Sequence, residues 1–184
     1  MSSDDYEDLL LQAVPRPCQR ALDVGCGHGA FARRLAERVE SVDALDRVDL
    51  GVSGPPNLRF IEADFLRHPI APGSYDFVSA IASLHHLPFA VAIERMKAAL
   101  RAGGVLAIVG LFRDDTVADF LWSALAFPIS RYRRRGRAPT NRAPLCTPTM
   151  TLAELAASIA GALPGAQFQR HLLWRYTVLW TKPG

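Results

Sequence analysis

The sequence lacks any apolar run long enough to cross a bilayer, and this absence argues against a membrane-spanning protein. It also lacks a basic start, because residues 1–5 are acidic and serine-containing, the opposite of a signal peptide. Cysteine is scarce. Cys18, Cys26 and Cys146 are odd in number and widely spaced, so they indicate neither a disulfide framework nor a metal-ligand pattern. We therefore expect a cytoplasmic protein with reduced thiols and no metal site.

Lysine is nearly absent, since only Lys97 and Lys182 are lysines among 21 basic residues. The net charge of +3 is modest but unevenly distributed, with acidic residues dominating up to Asp76. Residues 131–142 carry no acid and a cluster of arginines: Arg131, Arg133, Arg134, Arg135, Arg137 and Arg142. Such a cluster is typical either of a surface that attracts anions or of a solvated loop, and the sequence leaves both readings open.

A glycine-dense turn is the most informative segment of the chain. Gly25, Gly27 and Gly29 follow a short apolar strand and precede an amphipathic stretch. Glycine tolerates positive φ and lets a ligand lie against main-chain N–H groups. The spacing through Ala30 also satisfies the dinucleotide fingerprint. Asp23 favours a different cofactor, because a carboxylate there would repel a pyrophosphate but could receive an ammonium group directly or through water.

The segment Leu22 to Gly29 resembles motif I of the class I S-adenosylmethionine-dependent methyltransferases at every fixed position. Four later segments resemble this family in the same order, and together they extend the likeness over roughly residues 20–110. They are a second strand ending at Asp46, Ala63 to Phe65, the loop Ala82 to Pro88 and the turn Leu100 to Leu106, in which Ala102 replaces the usual proline.

The resemblance implies roles for individual residues. Asp46 would bond both ribose hydroxyls, Asp64 would contact the adenine amino group, and Phe65 would pack on the adenine ring. A plainer role for Asp46 is to cap the next turn. The full cofactor-binding set expected from the resemblance is Asp23, Gly25, Cys26, Gly27, Gly29, Asp46, Arg47, Asp64, Phe65, Ala80 and Ile81.

His85 and His86 are the candidate catalytic residues. They follow the fourth strand, where the transferred methyl group should project, and an imidazole can accept a proton from a hydroxyl or amine nucleophile at neutral pH. In some relatives the same loop serves packing only. Gly110 stands where related enzymes often carry an acid. A general base is not essential, because the sulfonium is an activated donor and positioning supplies much of the rate.

The order of strands and helices predicts an α/β fold in a single domain, residues 1–184. Predicted strands at 20–24, 41–46, 58–61, 75–81 and 105–109 alternate with helices at 5–14, 30–38 and 89–100, which indicates a doubly wound, Rossmann-like, mostly parallel sheet. The Gly- and Pro-rich interval 46–57 leaves the second crossover helix abbreviated or absent. Residues 167–174 and 176–181 form a hairpin-like pair, which would supply an antiparallel C-terminal strand.

A small helical insert after strand five, residues 112–149, is the expected substrate-determining element. Residues 116–129 are predicted to form an apolar helix that covers the methyl-donor site, the arginine cluster follows in a loop, and residues 152–163 form another helix. Aromatic side chains of that cover and arginines at its rim favour an aromatic or anionic acceptor. Nucleic acid is a weaker expectation, because no aromatics interleave with the arginines to stack bases.

These observations predict an enzyme that transfers a methyl group from S-adenosyl-L-methionine to an oxygen, nitrogen or carbon nucleophile of a small specialised metabolite. Two alternatives stay open. The chain could be an RNA methyltransferase, or a non-catalytic protein of the same fold that binds the cofactor or a partner.

Overall fold

A computed structural model describes residues 3–48, 51–113, 147–171 and 174–184. Its elements in chain order are α1 (Ser3–Gln12), β1 (Arg20–Val24), α2 (Ala30–Ala36), β2 (Ser41–Asp46), β3 (Leu58–Glu62), β4 (Tyr75–Ile81), a 3-10 turn (Leu84–His86), α3 (Phe89–Ala99), β5 (Leu100–Leu111), α4 (Leu152–Ala162), β6 (Gln167–Arg170) and β7 (Arg175–Thr181).

The strands form one seven-stranded sheet in the order β3-β2-β1-β4-β5-β7-β6. The pairs among β1 to β5 are parallel, whereas β7 runs antiparallel to both β5 and β6. This confirms the predicted fold class, a mostly parallel Rossmann-like sheet with antiparallel C-terminal strands. The bounds of β1, β2 and β4 are those predicted from the sequence.

Two apolar layers cover the sheet, one on each face, as alternation of side chains along the strands requires. Leu22, Val78 and Ile108 pack with Ile93 of α3 and Leu155 of α4 in one layer. The other layer joins the opposite side of the same strands to α1 and α2, through the buried residues Leu10, Leu35, Ala21, Val42 and Phe77. Burial of apolar surface on both faces is the main stabilising term for such a domain.

The connection from β2 to β3 is short. Residues 47–48 and 51–57 contain no helix, as predicted from the Gly- and Pro-rich interval. Residues 63–74, between β3 and β4, likewise contain no helix. Arg95 of α3 reaches over this second connection, where its guanidinium donates hydrogen bonds to the carbonyl oxygens of Phe65 (3.1 Å) and His68 (2.7 Å). In their described residues, the connections before and after β3 therefore contribute no helix to the cover of the sheet.

Some element bounds differ from the predictions. β5 begins at Leu100 rather than at 105, because Leu100 pairs with Tyr75 and the Gly103 and Gly104 backbone bonds Lys182. β6 ends at Arg170, short of the predicted 174. Of the insert 112–149, the structure describes 112–113 and 147–149. The predicted helix 116–129 and the arginine cluster lie outside the described residues.

Helix α4 confirms the last predicted helix and shows why it begins where it does. The Thr151 hydroxyl accepts a hydrogen bond from the Glu154 N–H (3.2 Å), and the Glu154 carboxylate accepts one from the Thr151 N–H (2.8 Å). This capping box satisfies two of the N–H groups that every helix start leaves free.

Candidate cofactor and active site

The glycine turn lies at the carboxyl end of β1, between that strand and α2. All three glycines have positive φ, +71° at Gly25, +52° at Gly27 and +71° at Gly29. The N–H groups of Gly25 and Cys26 both donate to the Leu45 carbonyl of β2, at 2.7 and 3.2 Å. These bonds fix the turn against the neighbouring strand, and the positive φ values explain why glycine occupies each position.

The three glycines differ in what surrounds them. A Cβ on Gly25 would collide with the Ser83 side chain, and one on Gly29 would collide with the Phe60 ring. A Cβ on Gly27 would meet no atom of the described chain within 4 Å. The space beside Gly25 and Gly29 is therefore occupied by the protein's own side chains. The space beside Gly27 is unoccupied, so a ligand could approach the turn there.

Asp46 ends β2 beside that open glycine. Its Oδ2 accepts a hydrogen bond from the Gly27 N–H (2.8 Å), and its Oδ1 accepts one from the Val48 N–H (3.2 Å). The capping role considered for Asp46 is thus present. A carboxylate can accept about four hydrogen bonds, so capacity remains for two hydroxyl groups. Arg47, the next residue, is exposed.

Asp23 lies inside the protein rather than on its surface. Asp23 is 2% exposed, and its Oδ1 accepts a hydrogen bond from the Ser79 hydroxyl (2.7 Å). Burial raises the pKa of Asp23 to about 7, and the nearby carboxylates of Glu7 and Asp46 act in the same direction. An ammonium group brought close to Asp23 would favour its charged form.

Cys26 is half-buried in the turn, and its thiol donates a weak hydrogen bond to the Gly27 carbonyl (Sγ to O, 3.6 Å). Burial raises the pKa of this thiol to about 12, with Asp23 and Asp46 adding to the effect. The thiol therefore stays protonated at neutral pH and is a poor nucleophile.

The segment after β3 reaches the same edge of the sheet. The Asp64 carboxylate accepts a hydrogen bond from the Leu66 N–H (2.9 Å) and so shapes the turn. Phe65 is only 2% exposed and packs in the core, with the Arg95 guanidinium 5.6 Å from its ring centroid. The Phe65 ring is thus largely covered by protein, and its stacking on adenine stays a prediction.

The end of β4 joins the glycine turn to the histidine loop. Ala80 is fully buried in the core, and Ile81 packs against the opposite apolar layer. Ala82 has a φ of +50°, a conformation that costs a non-glycine residue energy and that clusters at functional sites. The Ser83 hydroxyl donates to the Val24 carbonyl (2.6 Å). Ser83 was not predicted as a site residue, because its contact with Gly25 joins positions 58 apart.

His85 and His86 occupy the 3-10 turn with their ring centroids 4.1 Å apart. His86 is exposed, whereas His85 is half-buried. The buried Nδ1 of His85 has no hydrogen-bond partner among the described residues. Burial, followed by the His86 charge, lowers the pKa of His85 to about 4. His85 is therefore neutral at pH 7, and one of its two ring nitrogens is a hydrogen-bond donor while the other is an acceptor.

Position 110, where related enzymes often carry an acid, lies within β5, and its glycine has a steric cause. A Cβ on Gly110 would collide with the ring of Tyr176 on β7, which pairs directly with Gly110. Tyr176 is 2% exposed, and burial raises the pKa of its hydroxyl. Any side chain at position 110 would displace this ring. Tyr176 was not singled out from the sequence, because only the sheet register shows that it covers Gly110.

The structure brings the ends of β1, β2, β3 and β4 to one edge of the sheet, as parallel strands require. The glycine turn, Asp46, Asp64 and the two histidines lie there. No group of metal-ligating side chains large enough to hold an ion occurs in the described ranges. Among the same residues, no helix is long and apolar enough to cross a membrane.

Comparison with known proteins identifies the family of the chain. A family model described as a methyltransferase domain matches residues 22–108. An uncharacterized methyltransferase of Mycobacterium tuberculosis is 32% identical over 188 residues, 97% of this chain and 94% of the relative. The trans-aconitate 2-methyltransferase of Deinococcus radiodurans is 32% identical over 127 residues, 65% of this chain and 48% of the relative.

Solved structures share the fold at lower identity. The Burkholderia thailandensis 1,6-didemethyltoxoflavin-N1-methyltransferase, solved with S-adenosylhomocysteine, superposes with a TM-score of 0.64 at 21% identity and covers 98% of this chain and 77% of its own. The N-methyltransferase NodS of Bradyrhizobium japonicum gives 0.64 at 16% identity, over 98% and 96% of the two chains.

The fold and the sequence matches define a Rossmann-like methyltransferase. The chain belongs to the class I S-adenosylmethionine-dependent methyltransferase family, and its cofactor is S-adenosyl-L-methionine.

Proposed function

We propose that this enzyme methylates an oxygen, nitrogen or carbon nucleophile of a small, anionic specialised metabolite. The observation that carries the proposal is the pairing of an open glycine turn at Gly27 with the half-buried, neutral imidazole of His85. Ser83 joins the two, since it contacts Gly25 and lies two residues before His85. The methyl group and an acceptor would therefore meet beside His85.

The cofactor would bind with its ribose at Asp46. The carboxylate is already held by the Gly27 and Val48 N–H groups, so it needs no reorganisation to accept the two hydroxyls. The ammonium of the cofactor would face Asp23 directly or through water, and adenine would face Asp64. The remaining expected contacts, at Arg47, Phe65, Ala80 and Ile81, belong to the same proposal.

Transfer would proceed by attack of an acceptor lone pair on the methyl carbon while the carbon–sulfur electron pair moves to sulfur. The products are the methylated acceptor, S-adenosylhomocysteine and one proton if the nucleophile carried one. The neutral His85 imidazole would accept a hydrogen bond from that nucleophile and then its proton. Its lowered pKa of about 4 makes it a weak base, so alignment contributes more than proton abstraction.

An anionic acceptor is supported by charge at the same edge of the sheet. Arg113 follows β5, Arg170 ends β6 and Arg175 begins β7, and topology places all three at the carboxyl edge of the parallel strands. The arginine cluster of residues 131–142 lies in the chain that links β5 to α4. Trans-aconitate, the substrate in the name of the Deinococcus relative, is itself an anion.

The test is formation of S-adenosylhomocysteine from S-adenosylmethionine in the presence of a panel of small carboxylates, phosphate esters and uncharged phenols or amines. We expect turnover with members of the anionic group and none with RNA. Turnover with RNA alone would instead make the chain an RNA methyltransferase. Cofactor binding without turnover on any acceptor would favour a non-catalytic protein.

A cytoplasmic location stays a prediction, checked by fractionating the source cells.

A further inference from the structure

A second cluster of charged side chains lies at the opposite edge of the sheet, away from the proposed active site. Arg20 and Ser41 are the first residues of β1 and β2, and Asn57 directly precedes β3. Together with Asp43, Pro56 and Arg59, they line a cavity of about 330 Å³. The glycine turn lies at the other end of the five-residue strand β1, roughly 15 Å away at about 3.3 Å per residue.

Asp43 organises this cavity. It is 3% exposed, and its carboxylate accepts hydrogen bonds from Arg20 Nη2 (2.9 Å), Arg59 Nε (2.9 Å) and the Tyr75 hydroxyl (2.7 Å). The Arg20 guanidinium also lies 4.9 Å from the centroid of the Tyr75 ring. The hydrogen bonds lower the pKa of Asp43 despite its burial, so it stays charged at neutral pH. Both guanidinium groups are thereby held in fixed orientations.

The charges in this cluster do not balance. Two guanidinium cations share one carboxylate, which leaves one positive charge in excess. The Asp43 side chain is 4% exposed, but those of Arg20 and Arg59 are 46% and 67% exposed. No other side-chain hydrogen bond or ion pair of these two arginines is found among the described residues. Each guanidinium carries five N–H donors, so most of them remain available to a ligand.

From this geometry we propose that the cavity is a second binding site, for a small molecule carrying a phosphate or carboxylate group. Arginine forks match both oxyanions with paired hydrogen bonds, and guanidinium groups that are already oriented lose little freedom on binding. The absence of a helix from residues 63–74 and from the described part of the β2–β3 connection leaves this part of the sheet accessible. The Ser41 hydroxyl can serve as a further donor.

This site is independent of methyl transfer, so its test uses neither acceptor nor turnover. Inorganic phosphate, and citrate in a parallel arm, would be titrated at constant ionic strength while the arginine Nε–H signals are followed by NMR. We expect saturable shifts for Arg20 and Arg59, with and without S-adenosylhomocysteine. Tighter binding of phosphate would identify a phosphorylated ligand, and tighter binding of citrate a carboxylated one.

Arg59→Lys keeps the positive charge but loses the planar guanidinium, whereas Arg59→Gln loses both the charge and the guanidinium. We expect at least about tenfold weaker binding in the glutamine variant and a smaller loss in the lysine variant. Ser41→Asp leaves every partner of Asp43 in place and should abolish binding by repulsion. Arg67→Gln, an exposed arginine outside the cavity, is the matched control and should not change the titration. Unsaturable shifts of equal size at Arg67 and Arg59, or unchanged binding in Ser41→Asp, would overturn the proposal.

Discussion

The two edges of the central sheet use carboxylates in opposite ways. At the edge where the parallel strands begin, Asp76 is buried and forms an ion pair with Arg101. Its carboxylate also accepts hydrogen bonds from the N–H groups of Gln19 (2.7 Å) and Arg20 (2.8 Å). At the carboxyl edge, Asp23 has one hydroxyl partner and a raised pKa. The difference teaches that an acid bonded to N–H groups and a guanidinium stabilises the fold, whereas an acid with a single hydroxyl partner keeps acceptor capacity, which at Asp23 we propose for the cofactor.

The largest expected effect is at Gly25, where the turn is packed against the β4 loop. Gly25→Ala combines positive φ with a collision against Ser83, so we expect the free energy of unfolding to fall by about 2–5 kcal/mol. Gly27→Ala, the matched control, shares the positive φ but meets no atom and should lose about 1–2 kcal/mol. Urea denaturation measures both. Equal losses would show that the collision is relieved by movement of the loop.

The next largest effects compare the loss of one acid at each edge of the sheet, Asp46 and Asp76. Asp46→Ala removes the expected ribose ligand and should weaken S-adenosylhomocysteine binding by roughly 1.5–3 kcal/mol while the protein stays folded. Asp76→Ala should instead lower the free energy of unfolding by about 2–4 kcal/mol, because two backbone N–H groups and the Arg101 guanidinium lose their acceptor, with little change in cofactor affinity.

Calorimetry at a temperature where both variants are folded gives the affinities. NAD serves as the negative control ligand. An unchanged dissociation constant for Asp46→Ala would leave that residue as a turn cap only, and strong binding of NAD would contradict the assignment of the cofactor.

A smaller effect is expected at the histidine pair. His85→Gln, which retains a polar group of similar reach, should lower kcat by about tenfold with cofactor affinity unchanged, while His86→Gln should change kcat less because its ring is exposed. With a pKa near 4, His85 should not make kcat vary between about pH 5 and 8. A rate that rises through pH 6.5 in parallel with deprotonation of an ordinary imidazole would contradict this assignment.

The last effects are pH dependences of stability, which have opposite signs at Asp23 and His85. The pKa of Asp23 is raised to about 7 from 3.8, so its contribution is present below pH 3.8 and is lost as the pH rises towards 7. The pKa of His85 is lowered to about 4 from 6.5, so its contribution is present above pH 6.5 and is lost as the pH falls towards 4.

Denaturation of wild type, Asp23→Asn and His85→Gln across this pH range measures each slope, and each variant should lose the slope of its own group. Cofactor binding to wild type should also strengthen as the pH rises through 7, because the charged Asp23 attracts the ammonium group. A wild-type affinity that does not vary with pH would remove Asp23 from the cofactor site.

The predictable parts of this molecule are those set by local patterns. β1, β2 and β4 were predicted to the residue because each is an apolar run that ends at a polar residue or a turn. The glycine turn was predicted because glycine is the residue that adopts positive φ most readily, and all three glycines of the turn have positive φ. The capping box at Thr151 and Glu154 is likewise a local pattern that the sequence alone could have shown.

The parts that could not be predicted depend on contacts between distant positions. The burial of Phe65 is one such case, since the Arg95 guanidinium of α3 lies 5.6 Å from its ring centroid and the two residues are far apart in the chain. The collision that excludes a side chain at Gly110 comes from Tyr176, 66 positions later. The order of residue types along the chain does not show which distant side chains come into contact in the folded protein.

The packing of Ser83 against Gly25 limits how the loop Ala82 to Pro88 can be exchanged. A loop grafted from another methyltransferase would carry its own residue at position 83, and any larger side chain would press on the cofactor turn. Replacements that begin at His85 leave this joint intact, whereas those that include Ser83 need a compensating choice for the turn. Residues from position 85 onward can therefore be exchanged without altering the contact between Ser83 and the glycine turn.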